Sequence, residues 1–110
     1  KYENNYKNIL PKDTFTFQAN IENRSRVTWL VSVLLDEKID REEYIGELKQ
    51  KGIDARPFFY SLSDMDIYKA YCKNFTHISH KLSKVGLNLP TYESLRSMDE
   101  IKKIIAGIKL

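Results

Sequence analysis

The stretch Gly52-Ile53-Asp54-Ala55-Arg56-Pro57-Phe58-Phe59-Tyr60-Ser61-Leu62-Ser63 gathers the residues of this sequence best suited to hold a ligand. The planar guanidinium of Arg56 presents paired donors that match a phosphate or a carboxylate. Pro57 keeps Arg56 extended, because a proline ring disfavours helical geometry at the residue before it. The same arginine also suits a plainer role, as the strand-end partner of Asp54 or Asp64. Phe58, Phe59 and Tyr60 cannot all face one core from a strand, where successive side chains alternate. Phe58 is expected to be structural; Phe59 and Tyr60 stand open between strand packing and a pocket wall with an apolar body and a polar tip. Ser61 and Ser63 fall in the turn that follows.

Other candidates carry weaker signals. His77 and His80 share a helix face by spacing, but no nearby acid completes a ligand set, so packing or surface roles are expected and no metal site is assigned. Cys72, the one cysteine, lacks a nucleophile context and is expected to act as a small buried hydrophobe. Lys81, Lys84, Lys102 and Lys103 have acidic or hydroxyl neighbours rather than the desolvated pocket that activates an amine. No residue is assigned a catalytic or cofactor-binding role.

The whole sequence bounds the answer further. Its 110 residues make one small domain with a single core. The net charge of +3 comes from Lys and Arg interleaved with Asp and Glu, which argues against a nucleic-acid footprint. No apolar run approaches the roughly 20 residues that span a bilayer. One cysteine excludes an intrachain disulfide and fits a reducing cytoplasm. The chain opens directly in a helical pattern at Lys1, which suggests a piece of a longer protein.

The elements that position these residues follow from periodicity. Tyr2, Tyr6, Ile9 and Leu10 form the stripe of a helix stopped by Pro11. From Phe15 the period becomes two, with Phe15, Phe17, Ala19 and Ile21 on one side. A polar turn at 22–26 leads to a second strand, Val27 to Leu35, with Val27, Trp29, Val31, Val33 and Leu35 on its inner face; the two read as an antiparallel hairpin. Asp40 and Glu43 read as a capping box for a helix running to Lys51, with Tyr44, Ile45 and Leu48 buried and Gly52 as a left-handed cap. Ile53 to Phe59 is the third strand, returned to the same sheet by a crossover. Ile67, Tyr68 and Tyr71 suggest one short helix, and Ile78, Leu82 and Val85 another. Ser97 and Glu100 cap a last helix with Ile101, Ile104, Ile105 and Ile108 as its core stripe. The predicted fold is α+β: a small, mainly antiparallel three-stranded sheet with helices packed on one face.

The Gly-Ile-x-x-Arg-Pro-Phe-Phe-Tyr strand, the Gly86-Leu87-Asn88-Leu89-Pro90 segment and the capped final helix, in this order, resemble the C-terminal small domain of the DegT/DnrJ/EryC1/StrS family of PLP-dependent sugar aminotransferases. Gly52 to Tyr60 is most similar to the perosamine-synthase-like branch, which acts on nucleotide-linked 4-keto-6-deoxy sugars. The resemblance covers nearly the whole chain. It implies a parent enzyme that moves an amino group, usually from glutamate, through pyridoxal phosphate (PLP) to a keto carbon of a nucleotide-linked sugar. It implies further that the large PLP-binding domain lies outside these residues and that the full-length enzyme is a homodimer. On that basis Arg56, Phe59, Tyr60 and Ser63 are expected to contact substrate, while this stretch alone is expected to be inactive and to bind no cofactor. Ser61 departs from the family, where a proline is common. Two alternatives stay open: a PLP- or PMP-dependent sugar dehydratase of the same family, and a non-enzymatic α+β interaction module. An isolated domain of this kind is expected to expose an apolar surface.

Overall fold

The structure is a computed structural model that describes residues 2–72, 74, 76–91 and 97–108. In chain order its elements are α1 (Tyr2–Ile9), β1 (Phe15–Phe17), β2 (Val31–Leu35), α2 (Arg41–Gln50), β3 (Arg56–Pro57), α3 (Asp66–Lys69), α4 (His77–Val85), β4 (Gly86–Leu89) and α5 (Met98–Ala106), with a 3-10 turn at Leu62–Asp64. The fold is α+β as expected, but its sheet has four strands in the order β1-β2-β4-β3, every neighbouring pair antiparallel. The added strand, β4, is the Gly-Leu-Asn-Leu segment. It separates β2 from β3, which therefore run parallel, as a strand-helix-strand crossover requires.

Register divides the sheet into two faces. Phe17, Val33 and Leu87 lie in line, as do Val31 and Leu89, and Phe15 faces Leu35. These side chains form the core with Tyr6 of α1 and Leu10 just after it, Tyr44 and Leu48 of α2, and Ile101 and Ile105 of α5. The second face carries Thr16, Ser32, Leu34, Gly86, Asn88 and Arg56. Leu82 of α4 lines a cavity with Thr16, Ser32 and Leu34 of that second face, so the helices are not confined to one side. Tyr6 donates its hydroxyl proton to the Pro90 carbonyl at 2.8 Å, fastening α1 to the end of β4.

Local chemistry explains the element boundaries. Asp40 accepts from the Glu43 amide at 3.0 Å and starts α2. Gly52, at φ 81°, takes the left-handed conformation that ends it, where a Cβ would be strained. Ser97 and Glu100 form the reciprocal capping box of α5. Pro57 lacks an N–H donor and sits in the edge strand, the place in a sheet that tolerates it.

The two N-terminal strands are shorter than their alternation predicts. β1 ends at Phe17 and β2 begins at Val31, so a loop over residues 18–30 replaces the tight hairpin. Ala19 and Ile21 are exposed, as are Val27 and Trp29, at 96% and 75% of their surface. Strand length is set by the partner: Val31 faces Leu89, and beyond Leu89 comes Pro90, with no amide proton to continue the ladder. Cys72 is exposed rather than buried, because it follows the short α3 at the surface. Ile67 and Tyr71 around that helix are exposed too, as is Ile78 of α4.

Candidate functional site

Alternation along the segment before β3 aims its residues. Ile53 and Ala55 are buried at 2% and 4% exposure, which turns Asp54 and Arg56 outward together. Arg56 Nη2 donates to Asp54 Oδ2 at 3.0 Å, with both side chains mostly in solvent. Asp64 is not its partner: that carboxylate lies 2.7 Å from His80 Nδ1 and joins the 3-10 turn to α4. A surface pair such as Arg56–Asp54 is weak, so the guanidinium can exchange it for a ligand anion at little cost.

Arg56 stands opposite Asn88 in the ladder. Around them opens a cleft of about 350 Å³ walled by Trp29, Leu30, Phe59 and Pro90. Phe59 is 76% exposed and Trp29 75%, so two aromatic surfaces border one guanidinium. Asn88 is held in place: Ser32 Oγ donates to its Oδ1 at 2.7 Å, and its Nδ2 donates to the Pro57 carbonyl at 3.3 Å. Phe58 is half-buried against Gly86, the structural place expected of it, and its amide donates to the Gly86 carbonyl at 3.0 Å. A second hollow, lined by Ser32, Phe58 and Phe59 among others, extends the cleft along the sheet face.

Of the four residues expected to contact substrate, the structure brings Arg56 and Phe59 to one cleft. Tyr60 follows Phe59 and is equally exposed. Ser63 lies apart, in a hydroxyl cluster that links the 3-10 turn to the start of α4: Ser61 to Ser63 at 2.7 Å, Ser63 to Thr76 at 2.6 Å, and Ser61 to Ser79 at 3.1 Å. Ser61, only 7% exposed, is the buried member of this cluster. Sequence reasoning missed Trp29 and Asn88 as cleft residues. The apolar alternation of 27–35 placed Trp29 in the core, whereas Asn88, polar between Leu87 and Leu89, carried a readable period-two signal.

Three of the described lysines are paired with carboxylates. Lys69 pairs with Asp66 at 2.7 Å, Lys7 with Glu3 at 2.6 Å, and Lys81 with Glu37. Asp66 raises the Lys69 ammonium above its ordinary value, opposite to the lowering an amine nucleophile needs. Among the described residues no group of His, Cys, Asp and Glu could hold a metal ion, and no helix is long and apolar enough to cross a membrane.

Comparison with known proteins places the chain among relatives. Relatives include the GDP-perosamine synthases of Vibrio cholerae, 32% identical over 84 residues, and of Escherichia coli O157:H7, 38% identical over 68 residues. That of Caulobacter vibrioides is 32% identical over 84 residues. The matches cover 74%, 61% and 74% of this chain but only 23%, 18% and 22% of the respective relatives, so the chain spans about a fifth of their length. The sequence profile of the DegT/DnrJ/EryC1/StrS aminotransferase family matches residues 2–109, nearly end to end, and the chain belongs to that family.

Proposed function

We propose that this chain is the smaller, substrate-facing lobe of a PLP-dependent aminotransferase that transfers an amino group from glutamate to a nucleotide-linked keto sugar. The observation that carries the reading is the convergence of Arg56, Trp29 and Phe59 on one cleft at the edge of the sheet. Arg56 binds the diphosphate through charge-assisted paired hydrogen bonds once Asp54 releases it. Trp29 and Phe59 offer flat apolar faces to a base or a sugar ring, and Asn88, fixed by Ser32, keeps the floor of the cleft in place. Tyr60 extends the contact surface toward the turn, while Ser63 acts from the hydroxyl cluster that orders that turn.

When bound, PLP supplies the electron sink for the reaction. In this reading it is held outside these residues, by a large domain elsewhere in the same polypeptide, and the complete enzyme is a homodimer. The exposed Leu62, Ile67 and Tyr71 beyond the cleft support such an assembly, since apolar groups of this size favour burial.

Titration calorimetry with a nucleotide-linked 4-keto-6-deoxy sugar tests the proposal. Binding that is weakened at least tenfold by Arg56→Ala, in the enzyme encoded by the full reading frame, is the expected result. Equal affinity in wild type and variant overturns the assignment of the cleft.

A further inference from the structure

The loop over residues 18–30 has almost no apolar anchorage. Every residue from Gln18 to Trp29, save none, is exposed, and Ile21 and Val27 are 61% and 96% accessible. A segment that buries so little is held by its polar contacts or is not held. Among the described residues, those contacts converge on one carboxylate in α1. Glu3 Oε1 pairs with Arg26 Nη2 and lies 2.6 Å from Lys7 Nζ, while Oε2 accepts from Thr28 Oγ1 at 3.1 Å. Arg26 also donates through Nη1 to the Gln18 carbonyl at 3.3 Å, so one guanidinium gathers both ends of the loop.

This clasp is better shielded than the Arg56–Asp54 pair. The Glu3 and Arg26 side chains are 15% and 28% accessible, against 57% and 76% for Asp54 and Arg56, and solvent screens the former less. Two cations share one anion, so removing the carboxylate charge leaves Lys7 and Arg26 to repel each other and drive the loop outward. The next residue after Thr28 is Trp29, whose carbonyl accepts from Thr91 Oγ1 at 3.5 Å. A void of about 80 Å³ is lined by Glu3, Arg26, Trp29 and Ser32 among others.

We propose that Glu3 is a positioning residue: by clasping Arg26 and Thr28 it holds the Trp29 indole as one wall of the Arg56–Phe59 cleft. Helix α1 thereby shapes a ligand site that it does not line. The binding consequence rests on the reading of that cleft as a nucleotide-sugar site; the positional consequence does not.

Trp29 is the one tryptophan of the chain, so its indole N–H gives a single signal in a 15N-labelled sample. The test compares the 15N heteronuclear NOE of this signal in the wild-type 110-residue chain, Glu3→Gln, Thr28→Val and Thr28→Ser, with UDP and GDP as binding probes. The NOE is expected to fall in Glu3→Gln and Thr28→Val and to be kept in Thr28→Ser, which retains the hydroxyl. Nucleotide affinity is expected to follow the same order, weakened about two- to fivefold, the range of one partly exposed ion pair. An indole as rigid in Glu3→Gln and Thr28→Val as in wild type overturns the proposal. If neither nucleotide binds wild type, the cleft reading fails, and the ligand-free NOE still decides the clasp.

Discussion

The Phe58 ring lies against the α-carbon of Gly86, closing the second face of the sheet where α4 passes into β4. A β-carbon at 86 would meet that ring and come within 2.6 Å of the Leu82 carbonyl oxygen. The requirement here is space, since Gly86 has φ −77°. Gly86→Ala is expected to destabilise the fold by about 1–3 kcal/mol, the usual penalty of overpacking. Thermal or urea unfolding measures it, and Phe58→Leu in the same background should recover part of the loss.

Arg56 separates binding from stability. Its bond to Asp54 is exposed on both sides, so Arg56→Ala is expected to change unfolding free energy by less than about 0.5 kcal/mol. Loss of a charge-assisted bond to a diphosphate corresponds to about 1.5–3 kcal/mol. Calorimetric affinity and a melting curve on the same two samples distinguish the roles. Lowered thermal stability with unchanged affinity would mark Arg56 as structural.

Glu3 gives the fold a dependence on pH. Its carboxyl is held below the usual glutamate value of 4.5, chiefly because Lys7 donates to it, with Arg26 and Thr28 adding to the effect and burial opposing it. A lowered folded-state value means that the clasp contributes fully above the unfolded value and is lost as pH falls through the folded one. The melting temperature of wild type should therefore exceed that of Glu3→Gln near neutrality and converge on it below about pH 4.5. Parallel melting curves across that range would refute the assignment.

Tyr44 presents a buried hydroxyl with no hydrogen-bond partner among the described residues. Burial pushes its phenol well above the ordinary value, and Glu47 adds to the effect. Its ring packs against Phe15, with centroids 5.9 Å apart, so the ring is useful to the core and the oxygen is not. Tyr44→Phe is expected to be neutral or to stabilise by up to about 1 kcal/mol, because a buried unpaired hydroxyl costs free energy. Chemical denaturation of the two proteins measures the difference.

Elements with a repeating apolar stripe or a cap were legible in the sequence. Tyr6 of α1 and Leu10 just after it, Tyr44 and Leu48 of α2, and Ile101 and Ile105 of α5 are buried as their spacing required. Strand ends were not legible, because they depend on partners distant in the chain: alternation runs through Val27 and Trp29, but the ladder stops where Pro90 ends β4. β4 is only four residues long, so the alternation of Leu87, Asn88 and Leu89 reads as a family motif rather than as a strand. The cleft was half legible for the same reason. Arg56 and Phe59 sit on the segment whose chemistry drew notice, whereas Trp29 reaches the cleft because a strand ends early.

The central position of β4 constrains how this domain can be made. β2 and β3 are separated in the finished sheet by a strand that leaves the ribosome after both of them. Until residues 86–89 emerge, the nascent chain carries a gap two strand spacings wide, roughly 10 Å, between the strand ending at Leu35 and the one starting at Arg56. Closing it brings together residues more than fifty positions apart, such as Ser32 and Asn88, which makes sheet completion a late, long-range insertion rather than a hairpin-by-hairpin growth.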